Sequence, residues 1–190
     1  MLNISMERSV TEYLTALREA VWQSPEVFPF PTSISRAWLT EQGSLSARLE
    51  RHCRDLSLKL LQNELKSLEH LLPSEQEYLP REDYWLRKVI LKGDGQPWVL
   101  GRTLIPQSSQ SSGSYDLANQ GNTPLGFTVF RHNTVRRDKL QLAQIDLADQ
   151  RLFARRSRLW VEDKPILVAE LFLPLAPIYA QGSLNDTGEI

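Results

Sequence analysis

A single cysteine, Cys53, occurs in this chain of 190 residues. That excludes an intrachain disulfide and a thiolate cage for a metal. No apolar run approaches the roughly 20 residues that a membrane-crossing helix requires. Met1 to Met6 carries no basic stretch leading into an apolar one, so no secretory leader is read there. Charge of one sign is lacking too. Lys and Arg total 22 against 23 Asp and Glu, for a formal net charge of -1, which argues against a nucleic-acid or anionic-membrane surface. Only three histidines occur, His52, His70 and His132, and none stands at metal-ligand spacing from another. His52 and Cys53 are adjacent, and adjacent residues on a helix point about 100° apart. No phosphate loop, dinucleotide fingerprint or G-x-S-x-G elbow is present, and Lys92-Gly93-Asp94-Gly95 reads as a turn. These absences predict a soluble cytoplasmic protein with no metal, no nucleic-acid partner and no membrane span, and a monomer is expected.

What remains is enough for one well-filled core, since 41% of the residues are hydrophobic. The first third reads as helical. Ser9 or Thr11 is placed to cap a helix through Val21, with Tyr13, Leu14, Leu17 and Val21 at helical spacing. Prolines between Ser24 and Pro31 end it. A short helix capped by Ser33 or Ser35 runs through Leu39, and another spans Ser44 to Cys53. From Leu56 to Leu68 an extended segment and a helix fit nearly equally.

Strand signals dominate afterwards. Tyr84 to Leu91 and Trp98 to Ile105 flank Gly93-Asp94-Gly95 as a hairpin. Gln107 to Asn122 is a polar loop, read as an insertion. Thr123-Pro124 starts a short helix from Leu125 to Phe130, with Pro124 at its first position. A strand follows from Arg137 to Ile145, and Ala154 to Val161 pairs with Ile166 to Leu173 across Glu162-Asp163-Lys164-Pro165. Helices followed by hairpin-linked strands predict an α+β domain with an antiparallel sheet over residues 1–180, and a polar, disordered tail at 181–190.

One carboxylate stands out. On a strand, Glu170 shares its face with Ile166, Val168 and Phe172, where an uncompensated charge costs several kcal/mol, roughly. Its candidate partners are Arg87, Arg102, Arg155, Arg156 and Arg158. Arg87 itself shares a face with Trp85, Val89 and Leu91, as a snorkelling edge residue or as a buried anion clamp. Arg155-Arg156-Ser157-Arg158 reads as a basic patch on an exposed strand, with Arg156 and Arg158 on one face and Arg155 on the other. Trp85, Trp98 and Trp160 read as core fillers. An acid facing arginine-bearing strands suggests a closed pocket for a small anion.

Five blocks in order carry a family resemblance. They are Tyr84-Trp85-Leu86-Arg87, Gly95-x-Pro97-Trp98 leading to Gly101-Arg102-Thr103, Thr123-Pro124-Leu125-Gly126, Arg155-Arg156-Ser157-Arg158-Leu159, and Glu170-Leu171-Phe172-Leu173-Pro174 with Pro177 and Tyr179. Together they resemble bacterial chorismate lyase. The resemblance implies a six-stranded antiparallel sheet with helices closing over a buried ligand pocket. It implies a cofactor-independent enzyme that eliminates pyruvate from chorismate to leave 4-hydroxybenzoate, for quinone synthesis of the ubiquinone type. In such a site Arg87 and the backbone N–H of Leu125 would hold the ring carboxylate, and Glu170 would meet the ring hydroxyl rather than an arginine, as anchor or base. Leu45 stands where the family places a methionine of its pocket. A second arginine, from Arg102 or the Arg155–Arg158 group with Arg156 among them, would hold the enolpyruvyl carboxylate. The competing class is a non-catalytic sensor domain of the same fold.

Overall fold

Six strands form one antiparallel sheet in the computed structural model, which describes residues 4–110, 116, 120–130, 135–147 and 150–180. The strands are β1 (Leu56–Lys66), β2 (Tyr84–Gly93), β3 (Gln96–Pro106), β4 (Arg136–Leu147), β5 (Gln150–Val161) and β6 (Lys164–Phe172), in the order β1-β2-β3-β6-β5-β4. Three helices, α1 (Ile4–Arg18), α2 (Ser33–Leu39) and α3 (Leu45–Glu50), precede the sheet. Short turns of helix, α4 (Pro73–Gln76), α5 (Gln107–Gln110) and α6 (Leu125–Val129), sit in its connections. This is a single α+β domain. The expected tail at 181–190, His132, and residues 111–115 and 117–119 of the polar loop lie outside the described residues.

Local chemistry sets the boundaries. The helix expected to run through Val21 ends at Arg18, and it begins at Ile4 rather than at a cap on Ser9 or Thr11. Gln23 instead exchanges both backbone hydrogen bonds with Leu142, each 2.8 Å, so the chain leaves the helix to cover the β4 edge. Thr32, one residue earlier than expected, caps α2: its Oγ1 accepts from the Ser35 N–H at 3.0 Å, and Ser35 Oγ accepts from the Thr32 N–H at 3.2 Å. Ser44 caps α3, which stops at Glu50 rather than Cys53. Pro124 is the cap of α6 rather than its first helical residue. Asp94 and Gly95 take φ of 48° and 81°, and Glu162 and Asp163 take 48° and 62°. Both pairs give the left-handed turns whose twist matches two-residue hairpins.

Alternation along the strands gives the sheet two unlike faces. One carries Ile90, Leu100, Ala154, Ala169 and Leu171 and is covered by α1 through Leu14 and Leu17. The other carries two separate apolar clusters. Leu91, Val99, Phe153 and Phe172 pack under Trp38, Leu45 and Leu49 of α2 and α3. Ile105, Leu159, Ile166 and Val168 pack under Val129 of α6. Between these clusters the helices do not meet the sheet, and a cavity remains.

Candidate active site

The cavity is floored by β2, β3 and β6 and roofed by α3 and α6. Its volume is about 60 Å³, several times the roughly 10–15 Å³ that one water needs. Leu45, Val89, Leu125, Val168 and Phe130 line it with Arg87, Arg137 and Glu170. Two glycines make the room. Gly101 lies between Val89 and Glu170 in the ladder, where a Cβ would come within 3.0 Å of Val89 Cγ2. At Gly126 a Cβ would stand 2.7 Å from Ser44 Oγ and 3.1 Å from Ser46 Oγ, so its absence lets α6 close against the cap of α3.

Register places the charged residues. Arg87 pairs with Thr103, and Thr103 with Val168, while Glu170 pairs with Gly101 one alternation further along. Arg87 and Glu170 therefore share a face, two strands and two residues apart, which is about 12 Å between backbones. Arg87 is buried at 2% exposure. Its Nη2 donates to the carbonyls of Gly121 at 2.9 Å and Thr123 at 3.2 Å, just ahead of α6. Its Nη1 has no partner among the described residues. Burial holds the guanidinium below its usual pKa, with no opposing carboxylate among the causes. The first N–H groups of α6, Leu125 among them, have no partners within the helix and adjoin the same cavity.

Glu170 does have an arginine partner. Arg155, fully buried, donates from Nε to Glu170 Oε2 at 2.5 Å across the β5–β6 ladder. It also donates from Nη1 to the Glu41 carbonyl at 2.9 Å, tying the end of α2 to the sheet. The expectation that Glu170 goes without an arginine is thus corrected: Arg155 occupies its Oε2.

The other arginines separate by face. Arg102 and Arg156 pair with Ala169 from its two sides, on the face away from the cavity. Arg102 is ion-paired with Glu75 of α4. Arg156 donates twice to Gln141 Oε1 and lies over the rings of Trp22 and Tyr78. Neither lines the cavity, because each is an odd number of residues from a residue that does. The basic patch is not exposed either: Arg155 and Arg156 are buried, and Arg158 is held by both oxygens of Asp138. Trp98 fills the core as expected, Trp85 packs against it, and half-buried Trp160 instead stacks with Arg136 and Arg158.

Arg137 was missed. It lines the cavity, donating to Ser157 Oγ and to the carbonyls of Gln42 and Gly43. Counting back by twos from Leu142, which pairs with Arg155, would put Arg137 on the opposite face. A β-bulge between Asp138 and Gln141, with Lys139 at φ 52°, inserts one residue and turns Arg137 inward to pair with Leu159. Nothing in the local sequence announces that bulge.

Comparison with known proteins bears on the fold and on the family. The solved ligand-binding domain of a transcriptional regulator assigned to the GntR family, from Bordetella bronchiseptica, superposes with a TM-score of 0.50 at 15% identity, covering 69% of this chain and 90% of that one. At that identity the likeness is one of fold. Two relatives each named "Probable chorismate pyruvate-lyase" are far nearer in sequence. The Vibrio parahaemolyticus protein is 49% identical over 176 residues, covering 93% of this chain and 98% of its own. The Vibrio vulnificus protein is 52% identical over 172 residues, covering 90% and 96%. The sequence profile described as "Chorismate lyase" matches residues 16–184, a span that holds every strand and every cavity residue, and with it the chain belongs to the chorismate lyase family.

Proposed function

We propose that this chain is a chorismate pyruvate-lyase that converts chorismate into 4-hydroxybenzoate and pyruvate. The observation that carries the reading is the pairing, in one small cavity, of a buried arginine without a counter-ion among the described residues, Arg87, and a carboxylate, Glu170, that Arg155 engages through Oε2. An aromatic acid with a hydroxyl opposite its carboxylate complements that pair. In the complex, Arg87 Nη1 and the Leu125 N–H receive the ring carboxylate. Glu170 Oε1 accepts the ring hydroxyl. The apolar side chains of Leu45, Val89 and Val168 hold the ring between them and keep water out.

The step balances without an outside oxidant or reductant. The hydrogen on C4 of the ring moves to the methylene of the enolpyruvyl arm, the C3–O bond breaks, and the oxygen becomes the keto oxygen of pyruvate. The electrons of the C4–H bond complete the aromatic ring. No flavin or nicotinamide is needed for such a redox-neutral elimination. The protein's share is to fix the arm over C4 in a near-attack conformer and to keep water out. Glu170 fits the part of anchor better than that of base, because Arg155 already engages its other oxygen.

Mixing the purified protein with chorismate and following 4-hydroxybenzoate by absorbance tests the reading. One pyruvate should form per 4-hydroxybenzoate. Binding of chorismate with no product would point to a sensor of the same fold. The reading carries with it a cytoplasmic monomer supplying quinone synthesis, and gel filtration checks the monomer.

A further inference from the structure

The charges around the cavity do not balance in the absence of ligand. Glu170 is matched by Arg155, Nε to Oε2. Arg87 and Arg137 are left, and neither touches a carboxylate among the described residues. The hydrogen bonds of Arg87 go to carbonyls, and those of Arg137 go to two carbonyls and the Ser157 hydroxyl, with the Phe130 ring 5.8 Å from its guanidinium. The pKa of the Arg137 guanidinium is pushed down to about 10, first by burial and then by repulsion from Arg155, with Glu170 and Glu41 opposing. Arg87 is buried and Arg137 half-buried, and cations taken from water with no carboxylate in contact are unfavourable unless a ligand brings the anion.

The two cations stand on opposite flanks of the floor. Arg87 reaches in from β2 and Arg137 from β4, with β3, β6 and β5 between them and Glu170 on the middle strand. Two guanidinium groups with no carboxylate in contact among the described residues, facing one cavity from two sides, match a ligand with two carboxylates. The product has one. We propose that Arg137 binds the second carboxylate, the one on the enolpyruvyl arm, and so sets the preference for substrate over product; this rests on the chorismate reading above. When pyruvate departs, Arg137 loses its anion while Arg87 keeps the ring carboxylate. A further consequence is that the bulge at Lys139, by turning Arg137 inward, is a determinant of specificity.

Arg137→Gln and Arg137→Lys in the full chain test this by comparing a dicarboxylate with a monocarboxylate. For Arg137→Gln, kcat/KM for chorismate should fall about 100-fold, as for truncation of one partner of a buried charge pair, while the Kd for 4-hydroxybenzoate shifts by less than about twofold. Arg137→Lys should retain an intermediate rate. Retained product binding also shows that the variant is folded, since Arg137 braces the Gln42 and Gly43 carbonyls. Equal losses for both ligands, or unchanged chorismate kinetics, would overturn the proposal. If the wild-type protein makes no 4-hydroxybenzoate, the lyase reading fails by itself. The ratio of chorismate to 4-hydroxybenzoate binding in Arg137→Gln then still decides the role of Arg137.

Discussion

Arg155 and Glu170 face each other across the β5–β6 ladder, Nε to Oε2 at 2.5 Å, with the arginine fully buried and the glutamate 14% exposed. The pair fixes the direction of the carboxylate before any ligand arrives. Through the Glu41 carbonyl it also ties the end of α2 to the sheet. Breaking a buried pair from one side leaves the other charge stranded. Arg155→Met should therefore lower the unfolding free energy by about 3–5 kcal/mol, measured by urea denaturation. The double variant Arg155→Met/Glu170→Leu should recover most of that stability and remain inactive. Simple addition of the two single losses would mean that the pair is not coupled.

Arg87 is expected to act on the ligand rather than on the fold. Arg87→Ala should lower kcat/KM for chorismate by about 100-fold or more and weaken 4-hydroxybenzoate binding as well, since both molecules carry the ring carboxylate. Arg87→Lys keeps the charge but loses the fork that reaches the Gly121 and Thr123 carbonyls and the cavity together, so it should rescue only in part. A loss confined to KM would show uniform binding of substrate and transition state. Wild-type kinetics in both variants would remove Arg87 from the site.

Gly126 tests the roof. A side chain there meets Ser44 Oγ at 2.7 Å, so α6 must move away from α3. Gly126→Val should weaken 4-hydroxybenzoate binding about tenfold, a shift that matches the 1–3 kcal/mol typical of overpacking. Fluorescence titration reads it. Unchanged affinity would mean that the contact between the two helices does not shape the cavity.

Asp138 gives a pH dependence away from the chemistry. Hydrogen bonds from Arg158 hold its carboxyl below the usual range, with Trp160 Nε1 adding a third donor. A carboxylate whose folded pKa is depressed contributes stability above its unfolded value, roughly 3.9, and loses it as pH falls through the folded value. Wild type should thus exceed Asp138→Asn in stability at neutral pH, and the two melting curves should converge below about pH 4. A constant gap down to pH 2 would contradict the assignment.

The sheet and its hairpins were legible because period-2 alternation and turn residues are local signals. Asp94-Gly95 closes β2 and β3 as expected, and the segment from Leu56, undecided between helix and strand, became β1 through pairing with β2. That pairing is long-range and invisible in the window itself. Arg87, Leu125, Leu45 and Glu170 all reach one cavity. Arg102 and Arg156 do not, because alternation turns them to the face under α1 and α4, where Glu75 and Gln141 engage them. The partner of Glu170 stood among the candidate arginines, but only the β5–β6 register selects Arg155. Arg137 needed the bulge at Lys139, a one-residue slip that reverses which side chains face inward.

A crystal structure with 4-hydroxybenzoate bound tests the central claim most directly. The account predicts the carboxylate on Arg87 Nη1 and the Leu125 N–H, the hydroxyl on Glu170 Oε1, the Arg155–Glu170 pair intact, and Arg137 without an anion. A reversed ring, or a ligand seated away from Arg87 and Glu170, would contradict it.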